Sequence, residues 1–449
     1  MTAPTDSPTG VFSTLAAQVR QSTLARGAIV NVLITGIGIG ISFLVQILLA
    51  RKLGSEQFGL YAYVMGWMAL ALLPAKLDFD SAATRFVGAY AGNREWDLLN
   101  GFLRRGAQVV LTASVAVGCI TALGMITWRF LQGRAVEPLF WVACALLPLT
   151  ALMAYAANVL QGFRLVSASQ FPPVVLRPVL FGLGVLAFAT LDSRALSATT
   201  TLLLNLGAVI VVLLLQWILI ARALAPHVAA PRYEMREWLK TAFGLLSVSV
   251  AQLILAGQTD IVIVGTVVSK AEAGHYAIAN QIAGVLSMGT TAMSFVAAPS
   301  IAQYHRAGDR VALQRLLNRV RWTNLIPTLP ALVFIAVAGR PLLGLFGPSF
   351  KEAYPVLLVL SLGGLQAAAG GSIAGFLLTM TGNERAGAGI IGAAAVVYLV
   401  LVAILAPRYG AMGVALSTVS AFLFRAIWLG VYVRRKLGVS VWFSAPVSP

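Results

Sequence analysis

Residues 28–50 read AIVNVLITGIGIGISFLVQILLA and contain no charged side chain. An α-helix needs about 20 mainly apolar residues to cross the hydrocarbon core of a bilayer, so this stretch predicts a membrane span. The apolar run is too long for the core of a signal peptide, and no obvious cleavage site follows it. We therefore expect it to be retained as the first transmembrane helix.

The rest of the chain is also strongly apolar. Hydrophobic residues make up 59% of its 449 residues and charged residues 10%, and the mean hydropathy is +0.86. These values lie far from those of soluble domains and predict an all-α polytopic membrane protein. Eleven further apolar stretches bring the expected total to about 12 helices: 60–75 (extendable toward Arg85), 107–127, 138–160, 173–191, 195–221, 241–268, 277–302, 323–339, 354–381, 386–406 and 409–433.

Two short motifs recur at corresponding places in the two halves of the sequence. The residues Gly59-Leu60-Tyr61-Ala62 follow the first span, and Gly274-His275-Tyr276-Ala277 follow the seventh, 215 residues later. The residues Ala91-Gly92-Asn93-Arg94 recur as Ala307-Gly308-Asp309-Arg310, at an offset of 216. Many transporters contain such repeats, with the binding site between them. We therefore expect two pseudo-symmetric six-helix bundles around a central cavity.

This repeat divides the chain into five predicted segments. They are a cytoplasmic N-terminal segment (1–27), an N-terminal bundle (28–222), a basic cytoplasmic linker (223–240), a C-terminal bundle (241–433) and a cytoplasmic tail (434–449).

The basic residues predict the orientation in the membrane. The 32 Lys and Arg against 15 Asp and Glu give a net charge of +17. If the N-terminus is inside, the inner connections hold 20 Lys and Arg and the outer connections nine, so the positive-inside rule predicts that both termini are cytoplasmic. The same basic faces would contact anionic membrane lipid. Nucleic acid is not an expected partner, because no polar domain presents a basic face.

The sequence carries no recognisable catalytic or metal-binding pattern. Cys119 and Cys144 lie in apolar runs without metal-ligand spacing. His227, His275 and His305 lie far apart in sequence and lack a paired carboxylate-base motif. No GxxxxGK[ST] run for nucleotide binding occurs. We therefore predict a protein that is not an enzyme, with no metal site and no cofactor beyond a coupling H⁺ or Na⁺.

Residues 50–61, ARKLGSEQFGLY, resemble the segment after the first helix in polysaccharide flippases of the multidrug/oligosaccharidyl-lipid/polysaccharide exporter superfamily. The resemblance spans the whole chain, although Ser55 stands where many relatives carry proline, which bears on a loop turn. Three further stretches are similar to motifs of this family, namely Arg85-Phe86 near the second helix, Asp260 with the following Gly274-His275-Tyr276, and Arg408-Tyr409-Gly410-Ala411-Met412-Gly413 before the last helix.

This resemblance implies a MATE-like fold and a flippase for a polyprenyl-diphosphate-linked oligosaccharide. Such a flippase would act in the bacterial inner membrane during synthesis of O-antigen or exopolysaccharide, with other polysaccharide-assembly proteins as partners. A diphosphate cannot cross hydrocarbon unshielded, so the cavity would open to each side in turn. Two alternatives stay open, a MATE-like exporter of small cationic compounds and an integral-membrane polymerase or ligase acting on lipid-linked sugars.

Acidic residues at membrane depth are the candidates for ion coupling, because a buried charge costs roughly 2.5–3.5 kcal/mol on insertion scales. Asp260 lies between two apolar runs and could bind H⁺ or Na⁺. A buried hydrogen bond that pins the seventh helix is the alternative. Asp78 and Asp80, at the end of the second span, are the further candidates.

Four arginines are candidates for binding the diphosphate, since the guanidinium fork matches phosphate geometry. They are Arg85, Arg425, Arg177 and Arg51. The alternatives are snorkelling for Arg85, contact with headgroups for Arg425, and anchoring for the other two. Tyr276, near the end of a span, is expected to be an interfacial anchor.

Overall fold

The computed structural model describes residues 23–131, 137–191, 196–225, 229–254 and 258–442. Nearly all of them are helical, as the composition predicts. The α-helices are α1 (Thr23–Lys76), α2 (Phe79–Asn93), α3 (Trp96–Leu131), α4 (Pro138–Gly162), α5 (Val166–Phe171), α6 (Arg177–Leu191), α7 (Ala198–Leu224), α8 (Met235–Ile254), α9 (Gln258–Val267), α10 (Lys270–Arg306), α11 (Arg310–Gly344), α12 (Tyr354–Gln366), α13 (Ser372–Met380) and α14 (Glu384–Leu437). Shorter elements are the π-helical segments Pro172–Leu176 and Ala367–Gly371 and the 3₁₀ turn Pro348–Ala353.

Eight helices in the described ranges are long and apolar enough to cross a membrane. Their number becomes nine if Lys270–Ser294 and Val296–Arg306, which are bent by 41° against each other, count as one broken span. Two candidates, Leu33–Lys76 and Glu384–Leu437, have 44 and 54 residues, about twice the length that a bilayer needs. The all-α polytopic fold is confirmed, while the number of twelve helices stays a prediction.

The two longest helices each contain a break at a glycine. Gly54 in α1 has φ 72° and ψ 173°, and Gly410 in α14 has φ 56° and ψ −136°. Side chains disfavour positive φ, whereas glycine adopts it freely. Both breaks lie close to predicted span boundaries, near residue 50 in α1 and between residues 406 and 409 in α14. Each helix therefore consists of two apolar segments joined at a glycine.

The first long helix does not continue toward Arg85. It ends at Lys76, because Leu77 and Asp78 have left-handed backbone angles, with φ of 49° and 57°. A separate helix, α2, begins at Phe79. The expected extension of the second span toward Arg85 is therefore wrong, because Arg85 lies in this separate helix.

The helices form two compact units. Unit 1 takes in the described chain up to Leu48, together with Pro74–Leu196 and Thr200–Leu245. Unit 2 takes in Leu49–Leu73, Ser197–Thr199 and the described chain from Leu246 onward. The second half of α1 thus belongs to unit 2, although its sequence precedes most of unit 1. The bundle boundaries predicted from the repeat stay a prediction.

Unit 1 has an aromatic core around Phe102 of α3. The Phe102 ring lies 5.4 Å from the Phe86 ring and 5.2 Å from the Trp238 ring, centroid to centroid. The Trp238 indole N–H donates to the Tyr90 hydroxyl oxygen at 2.9 Å, and Trp238 is fully buried. A buried Trp needs such a partner for its N–H. The later part of the predicted linker is therefore the start of α8 and packs into unit 1.

Unit 2 brings the two copies of the Gly-x-Tyr-Ala motif together. A Cβ atom added at Gly274 would lie 2.9 Å from the Cα atom of Gly59. One added at Gly59 would overlap the carbonyl oxygen of Lys270. A two-fold axis brings equivalent residues into contact where it passes between two copies of a structure. The direct contact of these two glycines fits the pseudo-symmetry that the repeat predicts.

Candidate ion-coupling site and membrane-depth arginines

Asp260 of α9 lies in a buried polar cluster within unit 2. The hydroxyl groups of Tyr276 and Thr418 donate to its Oδ2 atom at 2.6 and 2.8 Å, and the hydroxyl group of Tyr398 donates to its Oδ1 atom at 2.5 Å. These donors come from α10 and from both segments of α14. Only 1% of the surface of Asp260 is exposed. The carboxylate therefore joins segments of three helices.

The helix that carries Asp260 also favours a negative charge there. Asp260 is in the first turn of α9, which begins at Gln258. The positive end of a helix dipole lies at the N-terminus and stabilises a carboxylate in the first turn. The position of Asp260 is thus set by α9, and the packing of α10 and α14 supplies its hydroxyl donors.

The chemistry of this cluster suits a small cation. Among the described residues, the groups that hold Asp260 are hydroxyls, and no basic side chain pairs with it. A hydroxyl oxygen can donate or accept a hydrogen bond, so these groups can rotate to present lone pairs. The Thr418 hydroxyl also lies 3.1 Å from the backbone carbonyl oxygen of Val414, which is a second acceptor for it within α14. Protonation of the carboxylate, or binding of Na⁺, would neutralise the buried charge.

The sequence singled out Asp260 but not the groups around it. The expectation that Tyr276 is an interfacial anchor is wrong, because the residue is fully buried and its hydroxyl is hydrogen-bonded to Asp260. Tyr398 and Thr418 were not singled out. The available signal was that each is a hydroxyl residue within a predicted span, in stretches otherwise rich in apolar residues.

The other two acidic candidates lie at the break between α1 and α2. Asp78 precedes α2, and its Oδ1 atom accepts a hydrogen bond from the Ser81 hydroxyl at 2.8 Å. Asp80 is buried and forms an ion pair with Lys76, with 2.5 Å between Nζ and Oδ2. These contacts tie both carboxylates to neighbouring residues at the break.

The two candidate arginines of unit 1 differ in burial. Arg177 begins α6, directly after the π-helical segment Pro172–Leu176, and is partly buried. Its Nε and Nη2 atoms donate to the Oδ1 atom of Asn205 in α7 at 3.3 and 3.2 Å. Arg85 is exposed on α2, whose opposite face buries residues such as Phe86. Arg177 is thus held against a neighbouring helix, whereas Arg85 is open to the surroundings of unit 1.

The two candidate arginines of unit 2 also have separate partners. The Arg51 Nε atom donates to the carbonyl oxygen of Leu345 at 2.5 Å, which ties α1 to the residue after α11. The guanidinium carbon of Arg425 lies 5.0 Å from the centre of the Phe422 ring, a cation–π distance. Its Nε atom is buried and has no hydrogen-bond partner among the described residues. Arg51 is thus a tether, and Arg425 keeps unused hydrogen-bonding capacity inside a span.

Apolar spans with charged groups buried among them are those of a multi-pass membrane protein. Solved structures with this fold include the lipid II flippase MurJ in its inward closed conformation, with a TM-score of 0.69, 15% identity, and 90% of this chain and 87% of that chain covered. An inward-facing multidrug resistance MATE family transporter of the MOP superfamily has a TM-score of 0.68, 16% identity, and 92% and 98% coverage. The expected MATE-like fold is confirmed.

The family profile described as "Polysaccharide biosynthesis protein" matches residues 24–305, which is more than half of the chain. The protein belongs to this family, and the recognition from sequence motifs is confirmed. An uncharacterized membrane protein of Methanocaldococcus jannaschii, MJ1068, is 20% identical over 409 residues, which cover 87% of this chain and 79% of that protein. The two structural neighbours, titled as a flippase and a transporter, share the fold of this chain.

Proposed function

We propose that this protein is a flippase that moves a polyprenyl-diphosphate-linked oligosaccharide across the bacterial cytoplasmic membrane for cell-surface polysaccharide synthesis. The observation that carries the proposal is membership in the polysaccharide biosynthesis protein family. The fold shared with a lipid II flippase supports it. A lipid-linked glycan needs help to cross, because its diphosphate and hydroxyl groups lose their hydration in hydrocarbon at a large free-energy cost.

Among the four arginines, Arg425 is the strongest candidate to bind the diphosphate. Its charge lies inside a span against an aromatic ring, and its Nε atom lacks a partner in the described part of the chain. Phosphate oxygens would satisfy that donor, and charge-assisted hydrogen bonds of this kind are strong. Arg177 and Arg85 are secondary candidates. Arg51 is the weakest, because its Nε atom already donates to a backbone carbonyl.

In this proposal Asp260 couples transport to a flow of H⁺ or Na⁺. Cation binding would turn its hydroxyl donors toward other acceptors or make them ligands, and so change the packing of α9 against α10 and α14. A ligand can shift a conformational equilibrium only if it binds one state more tightly than the other. In this proposal the cluster, which joins segments of three helices, binds the cation more tightly in one state than in the other. The positive-inside count supports cytoplasmic termini.

A flipping assay with purified protein in vesicles tests the proposal. A fluorescent polyprenyl-diphosphate oligosaccharide in the inner leaflet should become accessible to an added quencher when the wild-type protein is present. Arg425→Ala should slow this transfer at least tenfold, because it removes a charge-assisted contact worth roughly 1.5–3 kcal/mol. Arg104→Ala, which removes an exposed arginine at the start of α3, is the matched control. Wild-type protein that flips no lipid-linked glycan would overturn the proposal.

Ion coupling is tested in the same vesicles with an imposed H⁺ or Na⁺ gradient. The gradient should accelerate flipping by the wild-type protein and have no effect on Asp260→Asn, which keeps the shape of the side chain and loses its charge. Glu56→Gln, on the exposed surface of α1, should respond like wild type. A full gradient response in Asp260→Asn would remove Asp260 from the coupling role and leave the flippase proposal standing.

An exporter of small cationic compounds is the second candidate. The structural match to a multidrug resistance MATE transporter, nearly as close as that to the flippase, favours it. The same vesicles distinguish the two, because an exporter would move a fluorescent organic cation and leave the lipid-linked glycan in place. Half-buried arginine inside a span disfavours the exporter, since positive side chains repel a cationic substrate.

A further inference from the structure

Three potential metal ligands converge at one end of unit 2, outside the Asp260 cluster. Glu272 and His275 lie in the first turns of α10, and Glu352 lies in the 3₁₀ turn Pro348–Ala353 between α11 and α12. One ligand atom from each side chain lies within 4.8 Å of the other two. Two carboxylates and an imidazole from distant parts of the sequence thus face one small volume.

The histidine is the observation that points to a ligand. His275 is buried, with 5% of its surface exposed, and neither ring nitrogen has a hydrogen-bond partner among the described residues. Its ring packs edge-on against Phe350 at 5.1 Å, and its Nδ1 atom lies 3.5 Å from Oε1 of Glu272. Buried polar atoms are normally hydrogen-bonded, so the imidazole has unused capacity on the side where the carboxylates lie.

The local fold holds these ligands in place. The hydroxyl oxygen of Ser269 accepts a hydrogen bond from the Glu272 backbone N–H at 3.1 Å and caps α10. Residues three apart on a helix lie on the same face, so Glu272 and His275 project together. The Phe350 ring also packs against Phe58 at 5.7 Å, which fixes the turn that carries Glu352.

The distance between two of the ligand atoms matches a transition-metal site. Zinc bonds to histidine nitrogen and carboxylate oxygen are about 2.0–2.2 Å long, and at tetrahedral angles they place two ligand atoms roughly 3.4 Å apart. The Nδ1 to Oε1 distance of 3.5 Å in the structure agrees with this value. An imidazole ligand favours zinc and its neighbours over magnesium or calcium. We propose that Glu272, His275 and Glu352 bind one divalent transition metal ion of the Zn²⁺ class.

Charge also agrees with this assignment. Two carboxylates and a neutral imidazole balance the charge of a divalent ion. The nearby ammonium group of Lys270 is engaged elsewhere, because it donates to the Gly265 carbonyl oxygen at 2.6 Å and lies 3.1 Å from the centre of the Tyr63 ring. Glu352 is exposed, so an ion can enter from solvent, and a water molecule can complete the coordination as in three-ligand zinc sites.

The bound ion would clamp the start of α10 to the turn before α12. Only the second half of the sequence carries this site, because the repeat offset of 215 aligns Glu272 with Gln57 and His275 with Leu60. The proposal departs from the sequence analysis, which predicts no metal site. The site could not be recognised from sequence because its third ligand, Glu352, lies 77 positions after His275. No spacing motif covers such a distance.

Metal binding is measured on the purified full-length protein in detergent, after any affinity tag is removed. Titration with Zn²⁺ in competition with a chromophoric chelator should give one site per chain, and Zn²⁺ should raise the unfolding temperature. Glu352→Gln and His275→Gln should each weaken Zn²⁺ binding by about tenfold or more, since even loss of an outer partner costs 10–100-fold. Glu352 is exposed, so its replacement keeps the fold intact and serves as the decisive variant.

Two matched substitutions control for charge and for the loss of a histidine. Glu56→Gln and His305→Gln remove exposed side chains outside the cluster and should leave Zn²⁺ affinity unchanged. Equal Zn²⁺ affinity in Glu352→Gln and wild type would overturn the proposal, as would a loss of affinity in His305→Gln as large as that in His275→Gln. Stronger binding of Ca²⁺ than of Zn²⁺ at the same residues would overturn the metal class. None of these measurements depends on transport.

Discussion

The two halves of the sequence build the same helix contact with different chemistry. The repeat offsets of 215 and 216 align Asp260 with Val45 and Tyr398 with Gly182. In unit 1, a Cβ atom added at Gly182 would lie 2.7 Å from Cγ2 of Val45, so apolar atoms fill this contact. In unit 2, the corresponding contact is the hydrogen bond between Tyr398 and Asp260.

This difference distinguishes the apolar packing that the fold requires from a polar contact that folding does not require. Close packing of small and apolar residues is enough to hold membrane helices together, as the contact in unit 1 shows. A buried carboxylate adds a cost that packing does not require. The buried carboxylate in the second half is therefore not required for packing, which supports the proposal that ion coupling takes place in that half.

The largest effect is expected when the Asp260 contact in the second half is made as apolar as the corresponding contact in the first half. Asp260→Val leaves the hydroxyls of Tyr276 and Tyr398 without their acceptor, and each unsatisfied buried donor costs about 1–3 kcal/mol. We expect the free energy of unfolding to fall by about 2 kcal/mol or more, measured by thermal unfolding in detergent. Adding Tyr276→Phe and Tyr398→Phe should recover most of the loss, because both sides of these two hydrogen bonds are then apolar and the Thr418 hydroxyl keeps the Val414 carbonyl oxygen as an acceptor. A triple variant no more stable than Asp260→Val would contradict this account.

An intermediate effect is expected where the two repeat copies touch. Gly59→Ala places a Cβ atom against the carbonyl oxygen of Lys270, and such overpacking costs about 1–3 kcal/mol. The unfolding temperature should fall. Gly92→Ala is the control, since a Cβ atom there meets open space and alanine favours the helix. Equal unfolding temperatures for the two variants would show that the repeat copies do not pack as described.

The smallest effect concerns a single hydrogen bond to the carboxylate. Tyr398→Phe keeps the ring and removes one donor to Asp260, so we expect a loss of about 1 kcal/mol in unfolding free energy. Tyr409→Phe, in which the exposed ring loses its hydroxyl, should have an effect close to zero. If the two variants lose the same stability, the hydroxyl of Tyr398 contributes nothing to the cluster.

The helices could be predicted from sequence because apolar length is a local property. The deep position of Asp260 could also be predicted, since the charge interrupts an apolar run. Its donors could not, because they lie 16, 138 and 158 positions away along the chain, and nothing local links them. The break at Leu77 and Asp78 was missed for a different reason, because non-glycine residues rarely adopt left-handed angles.

The contact between Gly59 and Gly274 restricts how this protein can change over generations. The obstacle to a larger residue at Gly59 is the main chain of Lys270, not a side chain. No second-site substitution can shorten a carbonyl group, so a mutation there has no partner on the facing helix that could compensate for it. A genetic screen for revertants should therefore return glycine itself, or changes that shift the whole helix.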